Sequence, residues 1–466
     1  MLTVNLQHAL ADEVVVGLGT IQLVRGSISH SEKLIKQLEV IDSKGQKIHQ
    51  SSQLYLPTQP CSEGHRSLDF VNEIAWSEDQ IGLTFDLYLR VTYYDESSVS
   101  KILGSVELIG KVTKSIGMAI FDDSGPKVVI CMATYCPPLA AFQRQIDSIL
   151  LQTHQNWHLI ICDDASNIDY WPQLEAICRQ DPKRISLIRH EQNLGFYHNF
   201  ERALHYVPES VDYVAFADQD DLWYPEKLQS LMGTLQSTNT QLAYSDMRVV
   251  DEKGGLIAPT YWQNRKNEYV DFDTVFLANT VTGAASLFSR SLLLTLLPFP
   301  EKIGDAFHDH WLACTALAQG PISYADKALY DYYQYGSSVI GHCDFKRWSM
   351  SERVLSIFRI FERLLHPTAF RQWLGKKVGG GIGIYRGECN RLRLMAQTLT
   401  LRGGVHPSSH STLNLMQGEF KPIVKLLWVH VKILVSGKTT DDAEFRLAMG
   451  CLSRVAERRK IAKGSY

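Results

Sequence analysis

The chain has 466 residues, with 47 Lys plus Arg against 50 Asp plus Glu, a formal charge of −3. At ~150 residues per domain, this length predicts about three domains. A hydrophobic share of 45% and a charged share of 21% belong to a globular protein, which excludes wholesale disorder, collagen and a polytopic membrane protein, and the charge balance gives no reason to expect a nucleic-acid partner.

The first segment, residues 1–124, reads as a β-rich accessory domain. Ile81–Tyr93 alternates apolar and polar residues with period two, as a half-buried strand does. Val14–Val16, Thr20–Val24 and Ser105–Val112 read as further strands. Short strands without long helices between them predict a small sandwich. Tyr55, Trp76, Tyr88, Tyr93 and Tyr94 are its candidate sugar-stacking residues, against the commoner role of strand aromatics as filler. Phe121–Lys127 has turn chemistry and marks the boundary.

From Lys127 the texture changes. KVVICMATY is an apolar run ending in a polar loop, and Pro138–Gln152 reads as a helix. WHLIICDDAS is a second strand, Trp171–Gln180 a helix, ISLIRH a third strand, Phe196–Tyr206 a helix, and VDYVAFADQDD a fourth strand. This alternation predicts an α/β domain with a mostly parallel sheet and flanking helices, over residues 125–343. Ligands of such sheets bind at the carboxyl ends of the strands. Three strands end in Thr134-Tyr135, Asp163-Asp164 and Asp218–Asp221, so one rim of the sheet is the expected site.

Residues 344–466 read as helical, beginning with Phe345–Leu365. Val378–Gly387 is Gly-rich but matches no dinucleotide or phosphate loop. Lys421–Tyr466 holds ten Lys plus Arg and four Asp plus Glu. Lys421–Lys438 mixes basic and apolar residues around Trp428. It suits either a helix packed on the body or a basic amphipathic tail on an anionic membrane surface. The nine cysteines form no CxxC pair, which favours reduced, buried thiols over a zinc ribbon. The first residues lack the charge and apolar core of a signal peptide, and no run of ~18 uncharged apolar residues occurs. The expected location is cytoplasmic, with a peripheral place on the inner face of the plasma membrane if the basic tail binds lipid.

Three carboxylates within four residues, Asp218, Asp220 and Asp221, repel one another and call for a cation or a set of donors. Carboxylates combined with phosphate oxygens suit Mg²⁺ or Mn²⁺. A solvated turn capping the next helix is the plainer alternative.

VVICMATY, LIICDDAS, NLGFYHNFERAL, FADQDDLWYPEKL, NTVTGAASLFSR and HDHWL, in that order, resemble a family 2 glycosyltransferase of the GT-A fold, and the DQDDLW and HDHW forms resemble its rhamnosyltransferase-like subset. The resemblance covers about Lys127 to His342. It implies an inverting transfer of a sugar from a nucleotide diphosphate donor to a glycan or lipid-linked glycan, as in O-antigen or capsule synthesis. It makes L-rhamnose the first donor sugar to try. By position, Thr134, Tyr135, Asp163, Asp164, Asn193, Gly195 and Asp218 match donor-nucleotide residues. Asp220 matches the metal contact, shared with Asp218. Asp309 matches the general base, which removes the acceptor hydroxyl proton during attack on the anomeric carbon. Thr282, Gly283, His308, His310 and Trp311 fall on the acceptor side. Where the family often has a metal-site His, this chain has Tyr335, and His342 is the nearest replacement. A His308–His310 metal pair is disfavoured, because near neighbours on a helix do not share a face.

Two other classes compete. A sugar-nucleotide nucleotidyltransferase would need a Gly-rich basic loop after the first strand, and ATYCPPLAAF is not one. A non-catalytic glycan-binding scaffold on the same fold would explain Tyr335, but it gives no reason for Asp164, Asp218, Asp220 and Asp309 to stand together.

Overall fold

The computed structural model describes residues 2–30, 32–48, 51–56, 66–110, 121–122, 125–262, 267–335, 385–406, 409 and 443–463. The helix read at Phe345–Leu365, the basic stretch Lys421–Lys438, His342 and most of Val378–Gly387 lie outside the described residues.

The amino-terminal strands are β1 (Leu2–Leu6), β2 (Glu13–Val16), β3 (Thr20–His30), β4 (Ile35–Ile41), β5 (Ser51–Tyr55), β6 (Arg66–Trp76), β7 (Thr84–Tyr93) and β8 (Ser98–Gly110). They form two four-stranded sheets, ordered β1-β3-β6-β5 and β2-β8-β7-β4. The inner faces meet through Val24, Ile28, Leu68, Phe70 and Ile74 on one side and Leu38, Val40, Leu87, Leu89, Val91 and Val106 on the other. β7 shows the alternation in its burial, with Leu87, Leu89, Val91 and Tyr93 inward. It starts at Thr84 rather than Ile81, because Gly82 takes φ +87° and breaks the extended run. Tyr55, Trp76 and Tyr93 are 1%, 3% and 1% exposed, so they are core residues and not glycan platforms.

The second unit is a nine-stranded sheet among the described residues. Its first half alternates strands and helices: β9 (Val128–Thr134), α1 (Leu139–Leu150), β10 (Trp157–Asp163), α2 (Trp171–Cys178), β11 (Ile185–Arg189), α3 (Phe196–Leu204) and β12 (Tyr213–Ala217). All three pairings in the order β11-β10-β9-β12 are parallel. β9 through β12 are apolar because both faces are covered. The second half adds β13 (Leu222–Trp223), α4 (Lys227–Thr238), β14 (Leu242–Asp251), β15 (Leu256–Ala258), α5 (Phe272–Leu277), β16 (Ser286–Ser289), α6 (Leu293–Leu296), α7 (His308–Gln319) and β17 (Ser323–Gln334). Here β16 runs antiparallel between β12 and β14, and β14 pairs parallel with β17. The sheet is parallel on the side of the first strands and mixed beyond β12.

The carboxyl-terminal helices α8 (Asn390–Arg402) and α9 (Ala443–Ala462) bind the two units together. Leu394 of α8 packs with Ile21, Leu23 and Ile303, and Ile461 of α9 joins the sandwich core. Arg393 pairs with Glu73 at 3.0 Å, and Glu457 accepts from the Leu56 amide at 2.6 Å. Arg25 of β3 meets Glu301 at 2.7 Å. The terminal helices are therefore part of the body and not an appended tail. No described helix is long and apolar enough to cross a membrane.

Candidate active site

Strand order reverses between β9 and β12, because the chain leaves β9 toward β10 and returns to pair β12 on the other side. Loops leaving two such strands diverge, and the gap between them accepts a ligand. The loop after β9 carries Thr134 and Tyr135, and the loop after β12 carries Asp218–Asp221. Gln219 ties them together: its side-chain oxygen accepts from the Thr134 hydroxyl at 2.8 Å and from the Tyr135 amide at 2.9 Å. The Tyr135 ring stays 52% exposed.

Burial raises every carboxyl of the second loop, and neighbouring carboxylates add to it at Asp218 and Asp221. Asp218 is pushed up to about 7, by burial first and then by Asp220 and Asp309. Asp220 is pushed up to about 6 by burial, with Arg144 opposing. Asp221 is raised well above the usual range by burial and by Asp218 and Asp220, and its Oδ2 has no hydrogen-bond partner among the described residues. Asp221 does not cap α4, whose first turn is preceded by Glu226. It is fully buried and accepts from the Tyr333 amide at 3.4 Å.

Two cations flank this loop. Arg144 of α1 donates to the Asp220 carbonyl and, at 3.0 Å, to the Tyr335 hydroxyl, with its guanidinium 3.5 Å from the Tyr333 ring centre. Tyr335 thus anchors the arginine that braces the acidic loop. Lys227, the first residue of α4, is fully buried; its Nζ lies 3.6 Å from the Trp223 ring and 4.3 Å from the Tyr330 ring, and donates to the Ala284 carbonyl.

Asp309 stands in the first turn of α7, near enough to raise the Asp218 carboxyl. Its Oδ1 accepts from Asn279 Nδ2 at 3.0 Å and from the His310 amide at 2.6 Å, and its Oδ2 accepts from the Gly283 amide at 3.3 Å. Burial pushes it up to about 6. That suits a group that must be ionised near neutral pH and still take a proton. Gly283 is required here, since a Cβ at this position would strike the His308 ring.

Asp163 and Asp164 lie one strand over, at the end of β10. Asp163, expected at the nucleotide, is fully buried, and both its oxygens accept from Ser166, from the amide at 3.0 Å and from the hydroxyl. It closes a turn. Asp164 is 2% exposed and accepts from the amides of Leu194 at 3.0 Å and Gly195 at 2.7 Å and from Arg202 at 3.3 Å. It acts by holding the Asn193–Gly195 loop, where Gly195 takes φ +79° to open α3 and Asn193 accepts from the Gly195 amide at 3.1 Å.

His308, His310 and Trp311, expected to touch an acceptor, are core residues. His308 stacks on Phe200 at 3.8 Å, His310 meets the Val275 carbonyl at 3.1 Å, and Trp311 donates to the Leu296 carbonyl at 2.9 Å and is 1% exposed. Burial holds both histidines at about 3, so they stay neutral. Thr282 is partly exposed beside Gly283, on the turn that supports Asp309.

Residues 129–297 match Glycosyl transferase family 2. That stretch is similar to a family 2 glycosyltransferase domain. It contains β9 through β16 and the whole acidic loop, whereas Asp309 lies beyond it. An uncharacterized glycosyltransferase of Methanocaldococcus jannaschii is 27% identical over 193 residues, 41% of this chain and 65% of that protein. The UDP-Glc:alpha-D-GlcNAc-diphosphoundecaprenol beta-1,3-glucosyltransferase WfgD of Escherichia coli is 27% identical over 46% of this chain and 79% of that protein. The putative glycosyltransferase EpsE of Bacillus subtilis is 34% identical over 30% and 50%. The chain spans 29% of an uncharacterized glycosyltransferase of Rickettsia felis, so several of these relatives are shared only in part. Among solved structures, S. aureus TarS 1-349 in complex with UDP-GlcNAc aligns with 70% of this chain and 92% of that one, at 15% identity and a TM-score of 0.39.

Proposed function

We propose that this protein is an inverting, nucleotide-sugar-dependent hexosyltransferase that extends a surface polysaccharide of the O-antigen or capsule type. The observation that carries the reading is that Asp309 is bonded to the Gly283–Ala285 turn, which packs against β12, the strand that ends in the Asp218–Asp220 loop, at the switch point of a sheet similar to that of a family 2 glycosyltransferase. The donor nucleotide fits the Thr134–Tyr135 side of the gap, where Gln219 fixes the loop and Tyr135 offers an exposed ring. Asp309, oriented by Asn279 and Gly283, is placed to take the proton of an acceptor hydroxyl while that oxygen attacks the anomeric carbon from the face opposite the leaving diphosphate. One base and one displacement give inversion without a covalent intermediate.

Asp218 and Asp220 are the residues that would hold Mg²⁺ or Mn²⁺. Burial raises both carboxyls, Asp220 and Asp309 raise Asp218 further, and the neighbouring Asp221 Oδ2 is buried without a hydrogen-bond partner among the described residues, so added positive charge at this loop is favourable. No cluster of three or more His, Cys, Asp or Glu with metal-site geometry forms among the described residues. A bound ion would therefore share its shell with phosphate oxygens and water, and would neutralise charge on the diphosphate.

A diphosphoundecaprenol-linked sugar, the acceptor class in the name of the Escherichia coli relative, is the first acceptor to try, and dTDP-rhamnose and UDP-glucose are the first donors. With such an acceptor, the protein would work in the cytoplasm at the inner face of the plasma membrane, with the basic stretch Lys421–Lys438 as its lipid-facing segment. Incubation with a panel of nucleotide sugars, followed by NMR of the released or transferred sugar, tests the reading. One donor should be consumed with inverted anomeric configuration. Retention, or no donor bound by folded protein, would overturn it.

A further inference from the structure

Lys227 occupies a costly place. It is fully buried and opens α4, where the helix dipole disfavours a cation. Among the described residues it makes no ion pair within 4.0 Å. Its ammonium is instead held between the Trp223 and Tyr330 rings, 3.6 and 4.3 Å away, and donates to the Ala284 carbonyl. Ala284 belongs to the short turn Gly283–Ala285, whose Gly283 amide donates to Asp309 Oδ2 at 3.3 Å. A second hold on that turn is Ser286, fully buried, whose hydroxyl donates to the Gly283 carbonyl at 2.7 Å. One side chain therefore links the segment that follows the acidic loop to the turn that presents Asp309, across 57 residues of chain.

We infer that Lys227 is a positioning residue: by bonding the Ala284 carbonyl it fixes the spacing between the Asp218–Asp220 loop and Asp309. This rests on the transferase reading of Asp309. Trp223 and Tyr330 set the height of the ammonium, the carbonyl sets its direction, and the turn transmits that placement to the carboxylate. Displacing a reacting group by about 1 Å costs about 10²-fold in rate, so a strut of this kind acts on turnover more than on binding.

The test is a double-mutant cycle on donor hydrolysis, with water as acceptor, using the nucleotide sugar that the wild-type protein turns over. Lys227→Met keeps the length and removes the donor. It is expected to lower kcat about a hundredfold at unchanged donor KM, with UDP or dTDP binding by calorimetry within about threefold of wild type. In an Asp309→Asn background the same substitution is expected to change the residual rate by less than about threefold, because the strut acts through the carboxylate that is gone. Ser286→Ala, which loosens the same turn and leaves the buried lysine in place, is expected to give the same pattern and serves if Lys227→Met does not fold. Equal rate losses in both backgrounds, an unchanged kcat, or a parallel fall in nucleotide affinity would each overturn the proposal. Failure of the transferase reading itself looks different: wild-type protein would bind no nucleotide, or Asp309→Asn alone would leave hydrolysis intact.

Discussion

Two groups of buried charge in this molecule are built on opposite plans. At the junction of the sandwich and the terminal helices, Glu73 accepts from Arg393 and from Gln397, each at 3.0 Å, and Arg454 meets Glu457 at 2.7 Å while lying over the Tyr55 ring at 4.0 Å. At the rim of the sheet, Asp221 and Lys227 are just as enclosed and Asp218 and Asp220 are half-buried, and none of the four makes an ion pair within 4.0 Å among the described residues. Paired charges at the junction hold segments together. At the rim, burial raises all three carboxyls, neighbouring carboxylates raise Asp218 and Asp221 further, and a ligand can supply the missing positive charge. The first plan spends its interactions on the fold, and the second keeps them for a substrate.

This contrast predicts opposite mutational behaviour. Asp309→Asn should lower transfer about 10²- to 10⁴-fold, the range for removing a general base, with a Tm equal to or above that of wild type. Glu73→Ala should do the reverse. It removes the carboxylate that Arg393 meets at 3.0 Å and should cost about 3–5 kcal/mol in denaturant unfolding, with activity per folded molecule retained. A stable Glu73→Ala protein, or an unfolded Asp309→Asn one, would erase the distinction.

The pH dependence sharpens it. Asp309 is pushed up to about 6 from 3.8 by burial. The ionised form is the base, so the rate should fall about tenfold per pH unit below about 6. The stability effect has the other sign. The folded state holds this proton more tightly than the unfolded state, so the contribution is full below about 4 and is lost as pH rises through about 6. Comparing thermal unfolding of wild type and Asp309→Asn from pH 4 to pH 7 should show the difference growing in favour of the variant. The smallest effect is expected at the edge of the site. Tyr335→Phe removes one bond to Arg144, which is worth about 0.5–1.5 kcal/mol, and should lower Tm slightly and leave donor turnover within about threefold.

The sequence made some of this plain and hid the rest for physical reasons. β9, β10 and β12 are legible because a buried parallel strand is a bare apolar run, and the acidic residues that end β12 mark its rim. β4 and β5 are hidden in the sequence: IKQLEVI and SSQLY alternate weakly, and their burial depends on the facing sheet. His308, His310 and Trp311 look like site residues beside Asp309. Yet α7 is a central helix buried nearly all round, and a local motif carries no trace of what surrounds it. Arg144, Lys227 and Asn279 carry no local signal for a related reason. Arg144 finds Tyr335 across 191 residues and Lys227 finds Ala284 across 57, so only the folded chain reveals them. The junction charges are the extreme case, with Glu73 and Arg393 separated by 320 residues.

The most direct test of the account is calorimetric binding of UDP- and dTDP-sugars to wild type and to Asp220→Ala, each with Mn²⁺ and with EDTA. The account predicts that one nucleotide sugar binds the wild type in Mn²⁺ and that binding is lost both in EDTA and in Asp220→Ala. Equal binding by the Asp220→Ala variant would contradict the claim that the crowded carboxylates at the rim are the donor diphosphate site.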